Sequence, residues 1–510
     1  MSESKNKGYR RLGIFAGVVL LSILIGYLTG RQQVVFDVLG AIALVLAGIT
    51  ILVTIHELGH FLTAKAFGMR VETFSIGFPP RIFYFKRGDT EYQIGAVPLG
   101  GFVKISGIID ESLDVDHAYQ PPQPYEFRAK PVWQRLIVMT GGVIMNVILG
   151  IVVFSMMKWQ YGEQKLPMSE VKYGIEVSEP WYEKIKDSED SIRKQSLGYF
   201  LGFRTGDTLV SFKGESLPYF NNYVSQENLL QDDAWFEVKR NGEVVRINIP
   251  GYVQNFFNSD TISSVNDFIY PAFPAFIAVA DSMDLSRSPK EKEIIASPAY
   301  SAGLRSGDQI LRLDSTDIHL FSDITRYVKG KKNQLIQVVA QRNGQEVTFD
   351  VTTTDRGMLG VSRAPFDSVF RSETTTYGFF SSFGPGTREA FTFLSANVKG
   401  IRNFTKEGVD PGKSIMGPFQ IAYVYLTAFK NGGIKAFLTL TGMLSMILAF
   451  VNILPIPALD GGHVVFLLIE AITRKEPSVK VRIIAQQIGM VFILGLMLLI
   501  LANDIFRLAA

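Results

Sequence analysis

Five consecutive residues, His56-Glu57-Leu58-Gly59-His60, have the types and spacing of a hydrolytic metal site. In a helix, residues four apart lie on one face, so the imidazoles of His56 and His60 can bind one metal ion. Glu57 lies beside them and can take a proton from a water that the metal activates. Zinc suits these ligands, because its catalytic sites accept imidazole, keep one position open and lower the pKa of a bound water to about 7.

A carboxylate near the C-terminus can complete this site. Residues 452–463 read Asn-Ile-Leu-Pro-Ile-Pro-Ala-Leu-Asp-Gly-Gly-His, and Pro455 and Pro457 interrupt an apolar run. In a membrane, interrupted backbone is tolerated only where it is buried in protein or lines a cavity. Asp460, at this break, can supply a third metal ligand. His463, one helical turn later, either binds the metal as well or supports one of its ligands.

Composition excludes several other kinds of site. The chain has no cysteine, and therefore no disulfide framework, thiol nucleophile or cysteine metal site. His117 and His319 lie in polar segments and are interpreted as ordinary surface residues. The net charge of +3 gives no indication of a nucleic-acid partner.

Apolar runs indicate a protein that crosses the lipid bilayer several times. The chain is 47% hydrophobic, with a mean hydropathy of +0.18. A spanning helix needs about 20 apolar residues. Five uncharged runs reach or approach that length: 12–30, 38–55, 136–157, 436–459 and 483–503. Because ionisable groups are costly in lipid, the motif that follows the second run is by default a functional site.

Basic residues predict the orientation of these runs. Lysines and arginines precede the run 12–30, and no small-residue cleavage site follows it, so this run is interpreted as a retained anchor. Basic flanks lie on the cytoplasmic side, which predicts a cytoplasmic N-terminus. The motif histidines then lie near the cytoplasmic face, the basic segment 65–135 lies inside, and the soluble region 159–370 lies outside.

A small membrane-associated β-sheet is predicted within residues 69–131. Residues 71–76 and 91–97 are rich in β-formers, and a glycine pair precedes the short run that contains Phe102 and Val103. The sheet is either a plain surface element or one whose edge pairs with an extended substrate.

An internal repeat marks a soluble, β-rich region. Residues 202–210 match 303–311, and an Arg-Asn-Gly hairpin signal recurs at 240–242 and 342–344. The two repeats resemble PDZ domains, in which a peptide adds a strand to a sheet edge. They are either peptide-binding domains or spacers without a ligand.

Taken together, the two motifs, the segment 98–104 and the repeats resemble the site-2 protease family, and within it the regulator of sigma E proteases. The resemblance implies a zinc metalloendopeptidase with Glu57 as the catalytic residue. The Zn²⁺ ligands that it implies are His56, His60 and Asp460. The substrate contacts that it implies are Gly101, Phe102, Val103, Asn452, Pro455 and Pro457.

The same resemblance implies partners and a location. Members of this family cut transmembrane segments of anti-sigma factors and clear signal-peptide remnants, in the bacterial inner membrane. The run 12–30 is additional to the usual family core. Two other functions remain open: a PDZ scaffold or chaperone without proteolysis, which has no need of Glu57, and a zinc-dependent transporter, whose ligands would be spread along several helices.

The predicted fold is a polytopic α-helical membrane protein with two inserted β-rich PDZ-like domains and a small membrane-associated β-sheet. Its predicted segments, in order, are an anchor helix and turn (1–35), the helix with the His-Glu motif (36–68), the β region (69–131), a transmembrane helix (132–158), two PDZ-like domains (159–262 and 263–370), an amphipathic segment (371–433) and the C-terminal transmembrane helices with the aspartate motif (434–510).

This orientation predicts that Gln33 is outside the cell and Gly88 inside. Since the chain lacks cysteine, single cysteines at the two positions report the topology without background. An impermeant thiol reagent applied to intact cells should label position 33 and should label position 88 only after lysis. The opposite pattern would reverse the predicted orientation.

Overall fold

The computed structural model describes residues 32–108, 121–177, 197–223, 228, 231, 233–250, 269–285, 294–402 and 416–509. The predicted anchor at 12–30 and His117, which was predicted to be a surface residue, lie outside these ranges. The chain divides into two compact units. The first holds the described residues up to Gly162 and from Thr376 onward, and the second holds Glu163–Thr375.

Long helices dominate the first unit, and short strands dominate the second. The chain begins with α1 (Gln32–Ala66), β1 (Val71–Arg87), β2 (Thr90–Ile105), a 3-10 turn (Phe127–Ala129) and α2 (Val132–Tyr161). The second unit contains β3 (Glu163–Lys165), a 3-10 turn (Met168–Glu170), β4 (Ile175–Val177), α3 (Leu197–Leu201), β5 (Thr208–Phe212), α4 (Phe220–Tyr223), β6 (Ala234–Arg240), β7 (Glu243–Ile249), β8 (Ile269–Pro271), β9 (Ile277–Ala278), β10 (Ser282–Asp284), β11 (Ile294–Ala296), α5 (Pro298–Ser301), β12 (Gln309–Leu313), β13 (Thr316–Asp317), α6 (Phe321–Val328), β14 (Leu335–Arg342), β15 (Gln345–Thr352), β16 (Ser362–Arg363), α7 (Phe366–Val369) and β17 (Glu373–Thr375). The first unit resumes with α8 (Phe383–Arg402), α9 (Pro418–Ile453), α10 (Asp460–Thr473) and α11 (Val479–Ala509).

Four of the described helices are long and apolar enough to cross a membrane. These segments are Leu39–Ala66, Val132–Tyr161, Pro418–Ile453 and Val479–Ile505. Each overlaps one of the four predicted runs that fall within the described residues, which supports a multi-pass membrane protein. The run 436–459 was predicted too long, because the helix ends at Ile453, two residues before Pro455, which cannot continue it.

Helix α9 is interrupted at Gly433, whose φ of 58° and ψ of −145° are not helical. The Tyr425 hydroxyl lies 3.3 Å from Thr441 Oγ1 although the two residues are 16 positions apart. The first arm of α9 therefore folds back along the second. Only the second arm, residues 434–453, corresponds to the apolar run seen in the sequence.

Helices α1 and α2 are in backbone contact. A Cβ on Gly59 would lie 2.1 Å from the Gly141 carbonyl oxygen, and a Cβ on Gly141 would lie 2.7 Å from that of Gly59. Small residues permit such an approach in membranes, where close packing takes over much of the role of the hydrophobic effect. This contact lies within the His-Glu motif and brings α2 against the two histidines.

Strands β1 and β2 form the predicted small sheet by pairing twice. Residues 73–76 of β1 pair with 91–94 of β2 on one side and with 101–104 on the other, while 81–87 pair with 90–95. The segment 101–105 is thus an edge, with no second neighbouring strand among the described residues. Val71 and Ile105 are buried against Ala64 and Val138, which attaches this edge to α1 and α2.

The repeat in the sequence is also a repeat of contacts in the second unit. Asp207 accepts hydrogen bonds from Arg240 at 2.7 Å and from the Arg204 backbone at 2.8 Å. Asp308 accepts the equivalent bonds from Arg342 at 2.7 Å and from the Arg305 backbone at 2.9 Å. Each repeat has its own buried core. The unit begins and ends on paired strands, with Glu163 opposite Thr375, so it is an insertion between α2 and α8.

The predicted amphipathic segment forms helix α8, which packs along α2. Gly386 lies against Ser155, where a Cβ would be 2.3 Å from the hydroxyl, and Ala390 is buried with Phe154. Four phenylalanines of this region remain exposed: Phe379, Phe380, Phe383 and Phe391. One face of α8 is therefore a packed interface with α2, while these four phenylalanines keep exposed surface.

Candidate metal and peptidase site

Three side chains from two distant parts of the sequence meet in the first unit. His56 and His60 lie one turn apart on α1, and Asp460 is the first residue of α10. His56 Nε2 is 3.2 Å from His60 Nε2 and 3.2 Å from Asp460 Oδ2. His60 Nε2 is 3.3 Å from the same oxygen. The three atoms form a nearly equilateral triangle.

This triangle fits a zinc ion. Tetrahedral zinc holds nitrogen and oxygen at about 2.0–2.2 Å, which places neighbouring ligand atoms about 3.3 Å apart. Both histidines are 7% exposed. Asp460 Oδ2 is buried without a hydrogen-bond partner among the described residues. A cation at the centre of the triangle would satisfy that oxygen, and three protein ligands leave the fourth position open for chemistry.

The orientation of His60 is fixed by a neighbouring helix. Its Nδ1 lies 2.8 Å from the Val138 carbonyl oxygen on α2. A carbonyl can only accept, so Nδ1 carries the proton and the lone pair of Nε2 faces the triangle. Val138 was not predicted from the sequence, since any residue type can supply a backbone carbonyl.

Gly142 on α2 makes room for both imidazoles. A Cβ at this position would lie 2.5 Å from His56 Cε1 and 2.5 Å from His60 Nε2. Next to it, Asn146 places its amide 3.1 Å from His56 Nδ1. Neither residue was predicted. The available signal was Asn146 itself, since it is the one carboxamide in the apolar run 136–157.

The edge of the small sheet lies against Glu57. A Cβ on Gly101 would be 3.5 Å from Glu57 Cγ and 2.6 Å from the Ser75 carbonyl oxygen, so only glycine fits between them. The Val103 backbone also interacts with the Glu57 carboxylate. Phe102 pairs with Ser75 in the sheet and has a partly buried side chain. Two of the three predicted strand residues therefore lie beside the predicted catalytic residue.

The segment between α9 and α10 carries the remaining predicted residues. Asn452 places its amide nitrogen 3.4 Å from His56 Nε2. Pro455 and Pro457 lie in the non-helical stretch that follows. Gly489 of α11 touches this stretch, since a Cβ there would lie 1.7 Å from the Pro457 carbonyl oxygen.

His463 is not one of the three residues whose ligand atoms come together in the described part of the chain. It instead lines a small cavity with Phe127, Arg482 and Gln486. Two roles were predicted for His463, and this geometry does not support the first, direct metal binding. His319, the other described histidine, belongs to the second unit, where its backbone N–H donates to Asp323.

Two imidazoles and a carboxylate meet around one point, with a glutamate and a strand edge beside them, which is an arrangement that suits a metallopeptidase. Residues 44–496 match the family model described as Peptidase family M50. The chain therefore belongs to peptidase family M50 and is a membrane zinc metallopeptidase.

Similar curated proteins span nearly the whole chain. A "Regulator of sigma E protease" of Haemophilus influenzae is 29% identical over 90% of this chain and 97% of its own length. The "Zinc metalloprotease RasP" of Bacillus licheniformis and the "Probable protease eep" of Enterococcus faecalis are each 26% identical, over 90% of this chain and 96% of their own lengths.

Substituting Gly142 with alanine should weaken zinc binding by about tenfold or more, because the new methyl group would displace both imidazoles. His60→Ala should lose zinc altogether. Gly495→Ala is the matched control, since that membrane-helix glycine has nothing within 4 Å of its Cβ position. Metal analysis of the purified proteins and titration with a chelator measure the effect. A Gly142→Ala protein that binds zinc as tightly as the parent would contradict this account.

Proposed function

We propose that this chain is an intramembrane zinc endopeptidase that cleaves transmembrane segments of membrane proteins. The observation that carries the proposal is the triangle of His56, His60 and Asp460, with Glu57 and both histidines on a helix long and apolar enough to span a bilayer. Membership of family M50 supports the same chemistry.

Each residue at the site has a proposed role. His56, His60 and Asp460 hold zinc, which when bound supplies a Lewis acid that polarises the scissile carbonyl. Glu57 takes a proton from the attacking water and returns it to the leaving amine. The Asn452 amide donates a hydrogen bond to the substrate backbone or to its developing oxyanion.

The substrate must be extended at the point of cleavage. A transmembrane helix satisfies its own backbone groups, and these need new partners once it unwinds. The edge 101–105 can supply them by strand addition, because its outer side has no neighbouring strand among the described residues. Gly101 allows that edge to approach Glu57, and Pro455 and Pro457 keep the stretch after α9 from forming a helix.

The proposed substrates are membrane proteins of the anti-sigma-factor type and remnants of signal peptides. The name of the Haemophilus relative, regulator of sigma E protease, and the resemblance in both motifs support this class. We further propose a bacterial inner-membrane location, with the N-terminus in the cytoplasm and the inserted unit outside, on the basis of the lysine and arginine distribution.

The two repeats of the inserted unit are proposed to be PDZ-like domains, at 159–262 and 263–370. Support comes from the sequence repeat and from the aspartate–arginine contact that both repeats share. Equivalent contacts in both repeats indicate a duplicated fold. A peptide-binding role would follow from strand addition at a sheet edge.

Glu57→Gln should retain zinc and lose cleavage by a factor of about 10²–10⁴, because the ligands stay and the base is removed. The assay uses proteoliposomes that contain the full chain and a tagged single-span substrate, with zinc content measured on the same samples. Glu91→Gln serves as control, because it removes a carboxylate that pairs with Arg81 in the sheet. Normal cleavage by the Glu57 variant would overturn the peptidase assignment, and binding without cleavage by the parent would favour a scaffold.

Val103→Pro should slow cleavage about fivefold per lost hydrogen bond of about 1 kcal/mol, with zinc content unchanged. Helix-breaking residues in the substrate should partly restore the rate, since less unwinding is then needed. Phe83→Pro, on the opposite edge strand, controls for general damage to the sheet. Equal losses on helix-breaking and helix-favouring substrates would mean that this edge does not assist unwinding.

A further inference from the structure

Asn146 occupies an unusual position on α2. Its side chain is completely buried, one turn after Gly142 and directly beside His56. Its backbone carbonyl accepts a hydrogen bond of 2.8 Å from the hydroxyl of Ser445 on α9, which is also fully buried. Asn146 is therefore held between two helices and has little freedom to move away from His56.

His56 needs a hydrogen-bond acceptor if it binds zinc. Its Nε2 faces the triangle, so its Nδ1 must carry the proton, and a metal-binding imidazole usually donates that proton to an oxygen. His60 has the Val138 carbonyl for this purpose. For His56 the described residues near Nδ1 are the amides of Asn146 at 3.1 Å and Asn452 at 3.5 Å.

The amide of Asn146 can supply this acceptor. Its nitrogen now faces His56, while its Oδ1 is buried without a hydrogen-bond partner among the described residues. Turning the amide by 180° exchanges the two atoms without changing the shape of the side chain. Either orientation leaves one amide atom without a partner, but only the turned one accepts the proton of His56.

We propose that Asn146 is a positioning residue, whose amide oxygen accepts the Nδ1 proton of His56 and so directs Nε2 to the zinc. This rests on the proposed function only in taking His56 as a zinc ligand. The role is distinct from helix packing, because it depends on an oxygen at one point and not on the polarity or volume of the side chain.

Variants of the full chain separate the positioning of His56 from a role in helix packing. Asn146→Leu keeps a side chain of the same length and branching but removes the acceptor, Asn146→Asp keeps an acceptor, and Asn146→Ser is too short to reach His56. Ser155→Ala is the matched control, since Ser155 is equally buried on α2 and lies against Gly386. Zinc affinity is measured by chelator competition, and ligand geometry by the visible spectrum after cobalt replaces zinc.

Asn146→Leu and Asn146→Ser should bind zinc about 10–100-fold more weakly and change the cobalt spectrum. Asn146→Asp and Ser155→Ala should bind zinc with an affinity within about threefold of that of the parent. Thermal unfolding in excess chelator measures the packing cost of each variant without the metal, and the losses of zinc affinity should not follow the order of those costs.

Three results would overturn the proposal: wild-type affinity in Asn146→Leu, equal weakening in the Leu and Asp variants, or a larger loss when Asn452 is replaced. If Asn146→Leu does not fold, the Ser and Asp variants decide by the same comparison. Asn452→Leu tests the other amide, and a larger loss there would assign the acceptor to Asn452. Zinc binding that survives His56→Ala would instead contradict the proposed ligand set, whatever the Asn146 variants do.

Discussion

The convergence of two imidazoles and one carboxylate, with their ligand atoms 3.2–3.3 Å apart, is the constraint on which the rest of this structure depends. Such groups are costly among apolar helices unless an ion satisfies them. The glycine contact between α1 and α2 brings the Val138 carbonyl and Asn146 to the histidines. The supporting helix is thus part of the metal site.

The small sheet places an open strand edge beside this site. Its edge strand meets Glu57 through Gly101, where a side chain would collide with the Ser75 carbonyl. A peptidase within a membrane has to stabilise unwound backbone, and a sheet edge offers hydrogen-bonding groups that lipid cannot. Glycine at this point therefore permits the close approach of the strand to Glu57.

The inserted unit is stabilised by contacts within itself. Its two chain ends pair with each other as β3 and β17, so the unit leaves and rejoins the first unit's chain at neighbouring points. In each repeat an arginine from the hairpin strand donates to a buried aspartate, so the same internal contact stabilises both repeats. That duplication was visible in the sequence because the same residues recur in the same turns.

The sequence by itself determined the features that depend on local spacing. A helix places residues four apart on one face, so His56 and His60 were predictable as a pair, and apolar runs and recurring turns revealed the four described spanning helices and the two repeats. Asp460 was inferred from its carboxylate at the proline break and then through family resemblance, and the substrate contacts were inferred through the resemblance. Only the tertiary structure decided that Gly142, Val138 and Asn146 meet the histidines and that His463 is not part of the ligand triangle. It also decided that residues 101–105 form an edge and that α9 folds back at Gly433. These features depend on which helix faces and strand edges meet in space, and no local pattern carries that information.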